Sequence, residues 1–237
     1  MAEIFHERDS QCANESFGSG SEDMTDKEKE TVEAFHSLYY HGPQGKGPLF
    51  DQTRWMNYPC LKCPLDMWVY QEIISETRPD LILETGTHSG GSALFMAHVL
   101  DAIGKGEIIS IDIRNDYDRP THPRITYVTG SSDDAELVSR IMEGRRDSCR
   151  MVILDSDHSQ SHVEKELKLF APLVTLNSYL IVEDTNINGH PAYPSFGPGP
   201  YEAVETFLRT NDNFAVDPSR EKFLMTFNPK GYLKRVR

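Results

Sequence analysis

Three carboxylates and a histidine fall where two apolar runs end. Asp155-Ser156-Asp157-His158 follows residues 149–154, and Glu183-Asp184 follows residues 178–182. If those runs are neighbouring strands, Asp155, Glu183 and Asp184 converge on one point with His158 beside them. An oxygen-rich cluster suits a hard cation such as Mg2+, which keeps some waters or accepts substrate oxygens. His158, three residues from a candidate ligand, is placed to act as a general base. His88, His162 and His190 are lesser candidates for that part, and Asp157 reads as a supporting group or helix cap.

A second group lies upstream. Glu84-Thr-Gly-Thr-His-Ser-Gly-Gly-Ser92 joins a short apolar strand to a helix. Gly86 permits a tight turn there, and Gly90-Gly91 let backbone approach a ligand. The spacing is not the G-x-G-x-x-G of a dinucleotide fold. Asp112 ends the next strand, where a carboxylate can accept both hydroxyls of a ribose. Glu84 and Asp112 together favour a nucleoside-containing cofactor without specifying which.

The elements that must position these residues alternate regularly. Apolar strands are expected at 81–84, 107–112, 125–128, 149–154 and 178–182, with helices at 91–103, 135–143, 162–170 and 200–210 between and after them. Strands apolar on both faces, each followed by a helix, specify an α/β fold with a doubly wound, mostly parallel sheet. Residues 214–217 and 222–228 read as closing strands, one of them an antiparallel edge. Upstream, 65–76 reads as a helix stopped before Arg78-Pro79. Thr25 with Glu28 reads as the capping box of a first helix running to Tyr40. The organisation expected is an N-terminal arm and helix over 1–64 and one ligand-binding domain over 65–237, with residues 1–26 read as a flexible or partner-dependent arm.

Composition narrows the partners. The 237 residues carry 24 Lys+Arg against 37 Asp+Glu, a net charge of −13, without a basic cluster, which argues against nucleic acid. No apolar run is long enough to span a bilayer and no signal peptide is evident, so the expected setting is cytoplasmic and away from membranes. Cys60-Leu-Lys-Cys63 has no second pair to complete a zinc site and reads as structural.

Taken together, the E-x-G-x-x-x-G-G-S loop at 84–92, the D-x-D-H element at 155–158 and the V-E-D-T element at 182–185 resemble the cephalosporin hydroxylase-like family. That family has S-adenosylmethionine-binding, class I methyltransferase folds, and its relatives include the metal-dependent sugar O-methyltransferases of macrolide and rhamnoside biosynthesis. The resemblance spans roughly residues 55–237. It implies that Glu84, Gly86 and Ser92 surround the methionine part of the cofactor, Asp112 holds its ribose and Gly130-Ser131-Ser132 border its adenine. It implies that Asp155, Glu183 and Asp184 are the Mg2+ ligands, with Asp155 also touching the cofactor, and that His158 is the base. Lys62 and Asp66 match a Lys-x-Pro-x-Asp element to which no role is assigned. Homo-oligomers are implied as well, the N-terminal arm and helices being candidates for the interface.

The chemistry implied is a Mg2+-dependent O-methyltransferase. An alcohol is a poor nucleophile at neutral pH; a metal ion bound to its oxygen lowers the pKa, and His158 takes the proton to leave a metal-held alkoxide aimed at the sulfonium methyl. A chelating pair of oxygens on the acceptor predicts a vicinal diol of a sugar, or a catechol-like pair, in a small hydroxylated natural product. Residues 186–200, with His190, Tyr193 and Phe196, are expected as a lid or wall beside the metal. Two other readings compete: a nicotinamide-dependent oxidoreductase, weakened by the glycine spacing and the carboxylate triad, and a cofactor-binding partner protein that catalyses nothing itself.

Overall fold

The structure is a computed structural model describing residues 24–145 and 148–237. The arm expected over residues 1–26 lies largely outside them. Helix α1 (Asp26–His41) begins with the expected capping box: Glu28 N–H donates to Thr25 Oγ1, and Glu28 Oε2 accepts from Thr25 N–H at 2.8 Å. Gly42, at φ 77°, ends the helix by donating its N–H to Leu38 O. A short hairpin without a counterpart among the expected elements follows, β1 (Arg54–Trp55) and β2 (Tyr58–Pro59), turned by Met56 and Asn57 at positive φ. Helix α2 (Pro64–Thr77) starts with Pro64 in its first turn and stops at left-handed Arg78, ahead of Pro79.

The alternating region then runs β3 (Leu81–Thr85), α3 (Gly91–Ile103), β4 (Glu107–Asp112), β5 (Ile125–Thr129), α4 (Ala135–Met142), β6 (Arg150–Leu154), α5 (Gln160–Phe170), β7 (Tyr179–Val182), α6 (Pro200–Thr210), β8 (Phe214–Val216) and β9 (Tyr232–Arg235). The main sheet has the order β5-β4-β3-β6-β7-β9-β8. Its first five strands pair in parallel, and β9 pairs antiparallel with both β7 and β8. Successive strand residues face opposite layers. Ile82, Ile108, Ile153 and Ile181 pack under Tyr70, Ile73, Met96 and Leu100 of α2 and α3. Leu83, Ile109, Val152 and Leu180 pack under Leu137, Leu167, Phe170 and Val204 of α4, α5 and α6. This double burial is what the continuous apolar runs encode.

One expected strand is absent. Residues 222–228 do not join the sheet; the antiparallel strand beside β7 is β9, farther on, and β8 forms the edge. Leu224 sits at φ 67°, which no strand accommodates. Asp66 of α2 instead holds the segment, accepting from Thr226 Oγ1 at 2.5 Å and Phe227 N–H at 2.8 Å. Those side-chain bonds replace a ladder, and Gly231 then lets the chain pass so close to Val182 that a Cβ would lie 2.3 Å from its carbonyl oxygen. Among the described residues no helix is long and apolar enough to cross a membrane.

Candidate active site

From β3 the chain builds outward to β4 and β5, then returns to the other side of β3 as β6 and β7. At that reversal the strand mouths splay and leave a crevice. A cleft of about 590 Å³ occupies it, lined by Gly86, Asp112, Ser131, Ser132, Asp155 and Asp184 together with residues that gave no functional signal in the sequence, among them Tyr40, Phe50, Arg114 and Tyr117.

The β3–α3 loop crosses the floor. Gly86, at φ 81°, lies so tightly against β6 that a Cβ would sit 1.7 Å from Asp155 O. Asp155 N–H donates to Thr85 Oγ1 at 3.1 Å, so the loop and the β6 terminus are fixed to each other. Beneath them Glu84 is fully buried. It accepts from Ser92 Oγ and from Ser110 Oγ at 2.5 Å, the second partner being its direct neighbour in the β3/β4 register. Burial pushes the Glu84 carboxyl up to about 7 against the opposing pull of Lys62 and the two serines. Glu84 and Ser92 are therefore together under the loop and do not line the cleft.

Asp112 faces the opening. Its Oδ2 accepts from His88 N–H at 2.7 Å and its Oδ1 from Arg114 N–H at 2.9 Å, with Arg119 Nη2 at 3.3 Å. Tyr117 lies tilted against the His88 ring and carries the Arg114 guanidinium 4.6 Å above its own ring, making an aromatic, cationic wall. Across the cleft, Ser132 Oγ lies 3.0 Å from His162 Nε2 and 3.2 Å from Ser156 Oγ, while Ser131 Oγ donates to Asp133. This half offers a flat aromatic surface, a carboxylate and small hydroxyls, a donor and acceptor set suited to a nucleoside.

The other half is acidic. Asp155, His158 and Asp184 each offer one ligand atom, and the three atoms lie within 4.8 Å of one another. His158 Nε2 is 3.2 Å from Asp184 Oδ2. Asp155 and Asp184, two partly exposed carboxylates that line the cleft, offer oxygen donors that fit a divalent cation such as Mg2+, with the His158 imidazole beside them. Glu183, expected among the metal ligands, is not one of these three: it is buried, its Oε1 accepting from Lys62 Nζ at 2.6 Å and from the Tyr70 hydroxyl. Lys62 also donates to Asp155 Oδ2. Burial opposes the Lys62 charge, yet Asp155, Glu183 and Glu84 outweigh it and hold the ammonium well above the usual lysine range. Burial pushes the Asp155, Glu183 and Asp184 carboxyls upward despite these partners.

Lys62 thus acquires a place that its Lys-x-Pro-x-Asp setting marked without explaining: it is the cation at the back of the acidic cluster. Tyr70 carried no signal, because a tyrosine on an apolar helix face reads as core. Asp66 anchors the 226–227 segment, and burial raises its carboxyl to about 7 against the hydrogen bonds of Thr226, Phe227 and Tyr232. Cys60 and Cys63 are both buried with thiols pushed up to about 12 by burial, in keeping with a structural part.

Residues 186–200 do not line the cleft. His190 stacks on Tyr201 at 3.7 Å and approaches Glu202 Oε1 at 3.0 Å, while Tyr193 and Phe196 stay exposed. Glu202 also accepts from Gly199 N–H at 2.7 Å and Asn188 Nδ2 at 2.9 Å. Partial burial works to raise its carboxyl, but these donors and His190 outweigh it and bring it down to about 2. A carboxyl depressed on folding stabilises the native state fully above its unfolded pKa of about 4.3 and loses that contribution as pH falls towards the folded value. Hydrogen exchange in 186–200 should accordingly rise between about pH 4.3 and pH 2, beyond the intrinsic rate change, while the α3 amides hold. In Glu202→Gln the loop should already exchange faster at neutral pH. Equal protection in the two proteins would refute the anchoring.

Comparisons with known proteins give the family. A rhamnosyl O-methyltransferase of Mycobacterium leprae (strain TN) is 40% identical over 211 residues, covering 86% of this chain and 90% of that protein. One from Mycobacterium tuberculosis (strain ATCC 25618 / H37Rv) is 39% identical over 212 residues, with 86% and 84% covered. A CmcI structure solved with Mg and SAM superposes with a TM-score of 0.60 at 22% identity, covering 84% of each chain, a likeness of fold. The family model described as rhamnosyl O-methyltransferase/CmcI matches residues 48–236, and the chain belongs to that family.

Proposed function

We propose that the protein is an S-adenosylmethionine-dependent O-methyltransferase that uses Mg2+ and acts on one of two adjacent hydroxyls of a sugar or sugar-bearing natural product. The observation that carries the reading is the pairing, in one cleft, of the nucleoside-shaped half around Asp112 with Asp155 and Asp184, which His158 adjoins. The relatives named rhamnosyl O-methyltransferase support the sugar.

Bound in this cleft, S-adenosylmethionine supplies an electrophilic methyl group and Mg2+ lowers the pKa of an acceptor hydroxyl. Asp155 and Asp184, with Glu183 behind them, hold the cation. Lys62 balances the charge of Asp155 and Glu183 from the buried side and fixes their carboxylates. His158, held through Nε2 by Asp184, accepts the hydroxyl proton at its other ring nitrogen. Asp112 orients the ribose, Gly86 admits the cofactor close to the backbone, and Ser131 and Ser132 border its base. Glu84 and Ser92 shape the loop from below.

The test is transfer of labelled methyl from S-adenosylmethionine to methyl α-L-rhamnopyranoside, with Mg2+ and with excess chelator. Metal-dependent transfer, lowered by about 10²–10⁴-fold in His158→Ala, is the expected result. Undiminished transfer in chelator would remove the metal from the account, and unchanged transfer in His158→Ala would remove the base.

A further inference from the structure

The acidic end of the cleft has a wall that the proposed function leaves without work. Tyr40, Phe50 and Phe227 all line the cleft beside Asp155 and Asp184. Their rings form a mutual triangle: Tyr40 to Phe50 is 5.1 Å, Tyr40 to Phe227 is 5.3 Å and Phe50 to Phe227 is 5.5 Å. Phe227 is buried and backs the group, whereas Tyr40 and Phe50 are partly exposed. Aromatic rings at this point do not serve a cation, and the nucleoside half has its own ring in Tyr117.

Position ties the group to the chemistry. Asn186, two residues beyond Asp184, donates its N–H to Phe227 O at 3.0 Å. Its Nδ2 lies 2.8 Å from His36 Nε2 in a buried contact, and the His36 ring stacks on Phe227 at 5.6 Å. Helix α1 is therefore fastened to the segment that carries Asp184, and its last turn delivers Tyr40 to the cleft.

We propose that helix α1 completes the acceptor site: Tyr40, with Phe50 behind it and Phe227 as backing, is the platform for the apolar C–H face of a sugar ring whose adjacent hydroxyls face Asp155, His158 and Asp184. A pyranose has the required two-sided chemistry. One face presents C–H groups that pack on an aromatic ring, and the edge presents hydroxyls for carboxylates and for the Tyr40 hydroxyl. The inference rests on the proposed function and deepens it.

The test measures binding of methyl α-L-rhamnopyranoside by saturation-transfer NMR to the full chain with Mg2+, using catechol as the competing probe. S-adenosylmethionine is titrated separately by calorimetry. Wild type should transfer saturation most strongly to the C–H protons of one sugar face. In Tyr40→Ala the rhamnoside Kd should rise at least about tenfold, and in Tyr40→Phe, which keeps the ring, by only about two- to threefold. S-adenosylmethionine affinity should stay within about twofold in both variants, showing that the cleft remains folded. Equal rhamnoside affinity in wild type and Tyr40→Ala, no rhamnoside binding by wild type, or catechol bound in preference to the sugar would each overturn the platform. Failure of wild type to bind S-adenosylmethionine would overturn the functional reading instead, and the two outcomes are read in separate titrations.

Discussion

Replacing Lys62 by Met should destabilise the protein by about 3–5 kcal/mol at pH 8, the cost of removing one partner from a buried ionic cluster. Lys62 is 4% exposed and donates to both Asp155 and Glu183, with Glu84 close behind. Methionine fills most of the stem's volume, so lost packing is minor and the uncompensated carboxylates dominate. The sign of the pH dependence follows from their shifts. Burial already raises the Asp155 and Glu183 carboxyls above their unfolded values, and Lys62 opposes that rise. Without Lys62 they rise further, so between the unfolded and folded values the native state binds more protons than the unfolded chain. Stability of the variant should then increase as pH falls from 8 towards 5, relative to wild type. Denaturant midpoints at the two pH values measure this. Adding Glu183→Gln to Lys62→Met should recover at least about 1 kcal/mol, because it removes one of the stranded charges. A Lys62→Met protein within about 1 kcal/mol of wild type at pH 8 would contradict the assigned place of Lys62.

Gly86→Ala should cost more than about 4 kcal/mol, an effect reserved for backbone that cannot yield. Its Cβ would lie 1.7 Å from Asp155 O and 2.5 Å from Asp155 C, both main-chain atoms of a central strand's end. Relief requires β3 and β6 to part where Thr85 and Asp155 are hydrogen-bonded, directly under the acidic cluster. Gly104 is the control. It has nearly the same φ, 78° against 81°, and nothing within 4 Å of where a Cβ would sit, so Gly104→Ala bears the left-handed strain alone, about 1–2 kcal/mol. Thermal unfolding of the two variants separates overlap from strain; similar losses in both would show that Gly86 is held by conformation only.

The sheet and its order of elements were legible because the strands are buried on both faces, which leaves an unbroken apolar run between Gly- and Pro-marked turns. The first helix was legible from Thr25 and Glu28, since a capping box is local chemistry, and from the helical spacing of Val32, Phe35 and Leu38. Residues 222–228 misled because Phe223, Leu224, Met225 and Phe227 mimic strand composition, while the reason they stay out of the sheet is Asp66, some 160 positions upstream. The strand that does close the sheet, Tyr232–Arg235, is half charged because it is short and close to the edge.

The candidate site divides along the same line. Asp112, Asp155, Glu183 and Asp184 declared themselves as carboxylates at strand ends, and Gly86 as a turn residue. Lys62 and Tyr40 did not, because each comes from a segment outside the alternating pattern and reaches the cleft only through tertiary contacts: Lys62 on the approach to α2, Tyr40 at the end of α1. The aromatic wall of residues 186–200 was misplaced for a related reason. Exposed Tyr193 and Phe196 look like ligand contacts in sequence, but Glu202 and Tyr201 bind the loop to α6 and keep it off the cleft.

Calorimetric titration of the full chain with S-adenosylmethionine and, in parallel, with NAD+, each with and without Mg2+, tests the central claim most directly. The account predicts stoichiometric binding of S-adenosylmethionine that Asp112→Ala weakens by at least about tenfold, and no heat from NAD+. Saturable binding of NAD+ in place of S-adenosylmethionine would contradict it, and would require a different use for the carboxylates at Asp155, Glu183 and Asp184.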